Sequence, residues 1–504
     1  MNGGSPMQYR NPVIPGFFPD PSICRVGDTF YLVASSFQFF PGVPLFESKD
    51  LLNWTQIGHV LTRESQLPLQ KANSVGGIYA PTIRHDNGRF YMVTTNVSEG
   101  GNFYVWTDDI HGEWSEPVFV AQDGIDPSLY FEDGKAYFMS NGTDDAGVHG
   151  IVQCEIDIAT GQKLSPAKCI WQGTGGRFLE SPHLYKIGKY YYLMASEGGT
   201  EYGHMVVYAR STSLYGPFES YPQNPVLTNR NLGGYLLQGC GHADLVEDVQ
   251  GNWWMVHLGF RQIDQWVMHH VTGREVYLAP VTFDENGWFT AGVDGTNRLT
   301  VETDRLLDIV QKPLPELTFA NTSPCREWVY MNNPKPENYE FTPDAFRLRS
   351  NGSSLSDPMN APTFLGIRQQ EMQMTLAVTL DSRAQEAGVT CYMTPEQHYE
   401  IIVRKGEGGT EVFVRKTVGD LCVEMDAVHP AEGAVRLIVE VEPFTYKFFV
   451  EQNGQRLELG SGQSKYLSTE VAGNFTGVLF GLFAQGEVNG EFAEFSDFSL
   501  KSNA

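Results

Sequence analysis

Gly188-Lys-Tyr-Tyr-Tyr-Leu-Met194 is one of five near-copies of a single phrase, a glycine followed within a few residues by an aromatic strand start. The others are Gly27-Asp-Thr-Phe-Tyr-Leu-Val33, Gly88-Arg-Phe-Tyr-Met-Val93, Gly134-Lys-Ala-Tyr-Phe-Met139 and Gly251-Asn-Trp-Trp-Met-Val256. Their intervals of 61, 46, 54 and 63 residues suit one four-stranded sheet with its loops. Each phrase reads as the turn and second strand of such a sheet. Polar stretches that end in a turn and an aromatic residue follow three of them: Ser48–Trp54, Asp108–Trp114 and Ser211–Phe218. These fit turns ahead of an outer strand. Five units within residues 1–300 predict a five-bladed β-propeller, because radial stacking protects sheet edges that a flat array would expose.

After Gly287-Trp288 the repeat stops. Residues 301–316, ending in Lys312-Pro-Leu-Pro-Glu316, read as a linker stiffened by two prolines. From residue 317 to 504 apolar and polar residues alternate in Tyr399–Arg404, Glu411–Arg415, Val435–Glu440 and Tyr446–Glu451, the last closed by the hairpin pair Asn453-Gly454. That pattern predicts a C-terminal β-sandwich of jelly-roll, lectin-like type, and an all-β chain.

Composition agrees. With 504 residues, 41% hydrophobic and 19% charged, the chain has material for two or three cores and is too apolar to be disordered. The 63 aromatic residues and 52 glycines favour short strands, tight turns and stacking surfaces. A net charge of −25 without any run of Lys and Arg excludes nucleic acid and anionic membrane as partners and suits a neutral ligand. The seven cysteines are odd in number and never in a Cys-x-x-Cys pair, so they read as buried thiols. No apolar run reaches the length of a membrane helix, and Met1-Asn-Gly-Gly-Ser-Pro-Met7 has neither a basic start nor an apolar core. If a leader preceded this start and was removed, the periplasm is expected; otherwise the cytoplasm. Oligomeric state has no signature in the chain.

Ahead of each repeat phrase lies a segment that would form the innermost strand of its blade. In order these carry Asp20 in Phe18-Pro-Asp-Pro-Ser22, Tyr79 in Ile78-Tyr-Ala-Pro81, Asp126 in Gly124-Ile-Asp-Pro-Ser128, Glu180 in Leu179-Glu-Ser-Pro-His183, and His242 in Cys240-Gly-His-Ala-Asp244. Their offsets to the following marker glycine are 7, 9, 8, 8 and 9 residues, so the five side chains should converge at one end of the axis. A single Asp-Pro-Ser is a common turn in which Asp caps the following amides. Two in phase with a glutamate are another matter. Three acids crowded together with no nearby basic run repel one another, and at least one should hold its proton at neutral pH, the condition for a general acid. Such a set suits hydrolysis of a glycosidic bond, in which one carboxylic acid protonates the leaving oxygen and a second carboxylate activates water or attacks the sugar.

The stretch Asn11–Tyr31 (Asn-Pro-Val-Ile-Pro-Gly-Phe-Phe-Pro-Asp-Pro-Ser-Ile-Cys-Arg-Val-Gly-Asp-Thr-Phe-Tyr), with Ser36-Phe-Gln-Phe-Phe-Pro-Gly-Val-Pro44, resembles glycoside hydrolase family 43, the β-xylosidases and α-L-arabinofuranosidases. The resemblance extends over nearly the whole chain. It implies Asp20 as general base, Glu180 as general acid, Asp126 as the third acid that orients Glu180 and raises its pKa, and an inverting reaction. It further implies Phe37 as an aromatic wall of the sugar pocket and Arg274 as a ligand of sugar hydroxyls, where a structural ion pair is the plainer reading. No cofactor is implied for the chemistry. The matching His242 implies a structural calcium ion near the axis, held mostly through water; a pocket-shaping histidine is the other reading. In two-domain relatives a sandwich loop shortens the cleft to a pocket, which places Gly473–Phe483, and Phe475 in particular, at the rim.

Where many xylosidases resemble Gly-Gly-Val-Trp-Ala-Pro, this chain has Gly76-Gly-Ile-Tyr79-Ala-Pro81, a smaller ring with a hydroxyl handle. The exchange favours terminal α-L-arabinofuranose on hemicellulose-derived oligo- or polysaccharides; a β-D-xylosidase or dual enzyme is the alternative. From other classes, a carbohydrate-binding propeller would gain nothing from a carboxyl of raised pKa. A phosphorylase would need several basic residues beside the acids, where only Arg274 and His242 stand out. A retaining fructosidase-like enzyme would use the first aspartate as nucleophile.

Overall fold

The computed structural model describes residues 7–266, 268–306, 309–357 and 359–503. The stretch Met1–Pro6, whose reading bears on a removed leader, lies outside them. Five four-stranded antiparallel sheets follow one another along the chain, spanning 22–61, 82–119, 125–171, 180–220 and 237–291. Each repeat phrase supplies the turn and second strand of its sheet: Thr29–Val33, Arg89–Asn96, Lys135–Thr143, Tyr190–Glu197 and Trp253–Arg261. The aromatic runs are continuous rather than alternating because both faces of each blade are covered. Tyr31 and Val33 pack towards blade two with Phe90 and Met92, while Phe30 and Leu32 pack towards blade five with Trp254 and Val256. Tyr91 and Val93 then face Phe138 of blade three. Successive blades thus share a core between every neighbouring pair, and the fifth core closes the ring.

No blade is stitched from both chain ends, so closure falls to other contacts. The N-terminal segment lies on the last blade, with Tyr9 Oη donating to Leu278 O (2.9 Å), Asn11 Nδ2 to the same carbonyl (3.0 Å) and Val13 N to Val276 O (2.9 Å). On the axis, Asp244 of blade five accepts both Nη groups of Arg84 from blade two at 2.8 and 3.0 Å. It also accepts Ser22 Oγ of blade one at 2.6 Å and Tyr185 Oη of blade four at 2.5 Å. Arg84 in turn reaches His183 Nδ1 at 3.0 Å, and Thr82 Oγ1 donates to Pro127 O of blade three at 2.9 Å. The Arg84 charge and these donors hold the Asp244 carboxyl far below the usual carboxylate range although burial opposes it.

The C-terminal domain is a sandwich of two antiparallel sheets. Asn453 and Gly454, both left-handed, make the hairpin turn between Thr445–Gln452 and Gln455–Gln463. The division between the domains differs from the sequence reading in two respects. Thr300–Thr303, which crosses the expected start of the linker, pairs antiparallel with Met7–Arg10. Phe39–Phe40 leaves blade one to pair with Val329–Met331 at the edge of a sandwich sheet, and Phe17, Phe37 and Phe39 share a core with Phe364, Tyr392 and Phe483. The cysteines are free, but not all are buried: Cys422 lies on the exposed edge strand Leu421–Glu424 and Cys325 in a turn. Among the described residues no helix is long and apolar enough to cross a membrane.

Asp244→Asn leaves the buried Arg84 without its counter-charge and should destabilise the propeller by about 3–5 kcal/mol, read as a lowered unfolding midpoint. A midpoint equal to that of the unsubstituted chain would remove the axial pair from the account of closure.

Candidate active site

At one end of the axis the innermost strands leave regular geometry at equivalent points. Asp20, Asp126, Ser181 and His242 have φ of 57°, 54°, 54° and 46°. Register breaks accompany them between Ile125 and Ser128, Glu180 and His183, and Gly241 and Ala243. Blade two reaches the same end through Gly77 (φ 84°), where a Cβ would lie 2.1 Å from Phe37 O. Left-handed backbone at a non-glycine residue costs roughly 1–2 kcal/mol, and bulges of this kind re-aim side chains next to active sites. Here they turn the acids into a common cavity of about 620 Å³. All eight residues singled out in the sequence line it: Asp20, Phe37, Tyr79, Asp126, Glu180, His242, Arg274 and Phe475.

Arg274 organises the floor. Its Nη1 donates to Asp20 Oδ1 at 3.0 Å and to Thr200 Oγ1 at 2.8 Å, while Nε reaches Phe475 O at 3.3 Å. Its Nη2 is buried and has no protein partner. Ser35 Oγ donates to the other Asp20 oxygen. Burial pushes the Asp20 carboxyl up, but Arg274, His242 and Ser35 together outweigh it and hold the group below its ordinary value. Glu180 lies in the opposite situation. Burial, then the charge of Asp20, raise its carboxyl to about 7, with Arg274 opposing. Asp126 is also pushed well up, by burial and then by Glu180 and Asp20, although its Oδ2 accepts Ser181 N–H at 3.0 Å. That bond ties Asp126 to the residue following Glu180. The Asp126 and Glu180 carboxyls thus repel one another within the same buried cavity, each held above its ordinary value.

His242 places Nδ1 3.6 Å from Asp20 Oδ1 and 3.7 Å from Asp126 Oδ2, and burial lowers its pKa. A hard cation prefers oxygen donors. Among the described residues no three His, Cys, Asp or Glu side chains are grouped to hold a metal ion, and the one imidazole faces two carboxylates.

The walls are aromatic. The Phe37 ring lies 5.3 Å from Tyr79 and 5.4 Å from Phe475, and Tyr79 meets Phe475 edge-on at 6.1 Å. Tyr79 Oη donates to Val75 O at 2.9 Å, so its hydroxyl is engaged by the backbone rather than offered as a handle. From the sandwich the cavity is lined by Thr469, Glu470, Gly473, Asn474 and Phe475. The expected rim segment Gly473–Phe483 therefore begins too late, and its second half is the buried strand Leu479–Gln485. Glu470 accepts Tyr202 Oη at 2.7 Å and lies 2.7 Å from His270 Nδ1, which fastens the sandwich to the mouth of the propeller. Thr200, Tyr202 and Glu470 escaped the sequence reading, since none falls in the repeat phase.

The model of "Glycosyl hydrolases family 43" matches residues 9–289, and that of "Beta xylosidase C-terminal Concanavalin A-like domain" matches residues 316–501. A non-reducing end alpha-L-arabinofuranosidase of Bacteroides ovatus is 38% identical over 98% of this chain and 94% of its own length. A xylosidase/arabinosidase of Butyrivibrio fibrisolvens is 37% identical over 98% and 99%. Among solved structures, the xylan beta-1,4-xylosidase of Bacillus halodurans superposes with a TM-score of 0.89 at 30% identity, covering 98% of this chain and all of that one. With its propeller, its sandwich and its buried acids, the chain belongs to glycosyl hydrolase family 43.

Proposed function

We propose that this glycosidase is exo-acting and removes terminal non-reducing α-L-arabinofuranosyl residues from hemicellulose-derived oligo- and polysaccharides, with inversion. The observation that carries the reading is the pairing of opposite carboxyl environments in one cavity: Asp20 bonded to Arg274 and held below its ordinary value, and Glu180 raised to about 7 by burial and the charge of Asp20. A terminal sugar enters against Phe37, Tyr79 and Phe475, and the unpartnered Arg274 Nη2 donates to one of its hydroxyls. Glu180 passes its proton to the glycosidic oxygen as that bond breaks. Asp20 takes a proton from the water that attacks the anomeric carbon, so the sugar leaves with inverted configuration. Asp126, bonded to Ser181 N–H, holds the strand turn that aims Glu180.

The named activities of the Bacteroides ovatus and Butyrivibrio fibrisolvens relatives support arabinofuranose as the sugar. The ring at Tyr79, smaller than tryptophan and with its hydroxyl tied back to Val75, leaves more of the pocket wall open to a five-membered ring. Side-by-side hydrolysis of p-nitrophenyl α-L-arabinofuranoside and β-D-xylopyranoside should give the larger kcat/KM on the arabinofuranoside; a larger value on the xyloside would assign the pocket to xylose.

Glu180→Gln removes the acid with little change of shape and should lower kcat/KM on a sugar-aglycone substrate by about 10²–10⁴-fold. The loss should be smaller with p-nitrophenol, which leaves with less need of a proton. A variant as active as wild type on both would move the general acid elsewhere.

The two pKa shifts set the pH profile of kcat/KM. Activity requires Glu180 protonated and Asp20 ionised, so the rate falls as pH rises through about 7 and falls on the acid side only below the usual carboxylate range. An alkaline limb that persists unchanged in the residual activity of Glu180→Gln would show that another group titrates there.

A further inference from the structure

Four aromatic side chains among the described residues are at least half exposed, and only Phe178 (62% exposed) lines the cavity. It lies two residues before Glu180, on the approach to the proton donor. Its backbone is left-handed at φ 53°, a conformation that a bulky residue adopts only under constraint. The preceding residue, Arg177, is strapped to the next loop. Gly198 N donates to Arg177 O at 2.8 Å, Arg177 Nε returns a bond to Gly198 O at 3.0 Å, and the Arg177 guanidinium pairs with Glu201. Gly199 passes close beneath the ring: a Cβ there would lie 3.2 Å from Phe178 Cδ2, and φ is 81°. The ring is thus supported from the protein side, fixed by its backbone, and open to solvent at the mouth.

Resting on the reading of Glu180 as the acid that faces the leaving group, we propose that Phe178 is the platform of the leaving-group subsite and selects a pyranose as the residue that carries the terminal sugar. A pyranose chair turns several axial C–H bonds towards one face and lies flat on an aromatic ring, where the electron-rich π face meets them. A furanose envelope is smaller and puckered and covers less of the ring. The substrate class is then an arabinofuranosyl unit on a pyranose backbone, rather than an arabinofuranose chain.

Phe178→Ala and Phe178→Trp are compared with wild type on three substrates: an arabinofuranosyl-substituted xylo-oligosaccharide, an arabinofuranosyl-arabinofuranose disaccharide and methyl α-L-arabinofuranoside. In Phe178→Ala the kcat/KM on the xylo-oligosaccharide should fall about tenfold further than on the methyl glycoside, mainly through KM, with the furanose disaccharide between them. Phe178→Trp should restore most of the loss. Equal losses on all three substrates, or none, would overturn the platform. A wild type that hydrolyses only β-D-xylopyranosides would instead defeat the arabinofuranosidase reading. The same comparison with xylobiose and methyl β-D-xylopyranoside then decides the platform, a selective loss on xylobiose supporting it and equal losses overturning it.

Discussion

The ion pair between Arg84 and Asp244 sets the level of everything above it on the axis. Sheets that each come from one contiguous segment have no strand to share across the closing seam, so the innermost strands must be registered through side chains. Asp244 does this for blades one, two, four and five with one carboxylate. The catalytic candidates sit on those strands a fixed short distance away: Asp20 two residues before Ser22, Glu180 five before Tyr185, His242 two before Asp244. A shift of one strand along the axis would break a buried charge-assisted bond and displace an acid together. Closure of the ring and convergence of the acids are therefore one constraint.

Above that pair the problem is charge. Asp20, Asp126 and Glu180 are buried within one cavity, and Arg274 is the guanidinium among them. One cation cannot hold three carboxylates ionised in a low-dielectric site, so their pKa values separate, the one bonded to Arg274 falling and the others rising. Which carboxyl falls and which rise follows from where Arg274 points. Its Nε bond to Phe475 O makes that direction depend on the sandwich, and the Tyr202–Glu470–His270 contact fastens the same segment. The second domain dries the site and positions its cation; the propeller alone would leave Phe17, Phe37 and Phe39 without the apolar surface that covers them.

Much of this was legible in the chain because repetition makes it so. Five copies of one phrase announce five sheets, and residues at constant offset from the copies must lie at one level of the axis. Asp20, Asp126, Glu180 and His242 share that offset, and the left-handed backbone at Asp20, Asp126 and His242, and at Ser181 just after Glu180, is its physical form. Residues outside the repeat carried no such signal. Tyr202, Thr200 and Glu470 reach the cavity from loops and from the other domain, and their partners lie up to 268 residues away. Thr300–Thr303 looked like linker because a four-residue edge strand paired with the N-terminus has little pattern of its own. The Tyr79 hydroxyl looks from the sequence like a handle at the pocket wall, since the chain does not tell which way a side chain on a bent strand turns; it bonds Val75.

The same division separates chemistry from specificity. The acids and His242 sit on or at the start of strands whose register is enforced by buried bonds, so their positions are fixed by the fold. The outer lining of the cavity comes from turns and from a sandwich segment that includes the short helix Thr469–Ala472. Those segments are held by a few local bonds, Arg177 to Gly198 and Glu201 and Glu470 to Tyr202 and His270, and a substitution there alters the rim while the axis keeps its geometry. A scaffold so arranged can keep one bond-breaking apparatus while its rim is rebuilt for a different neighbouring sugar.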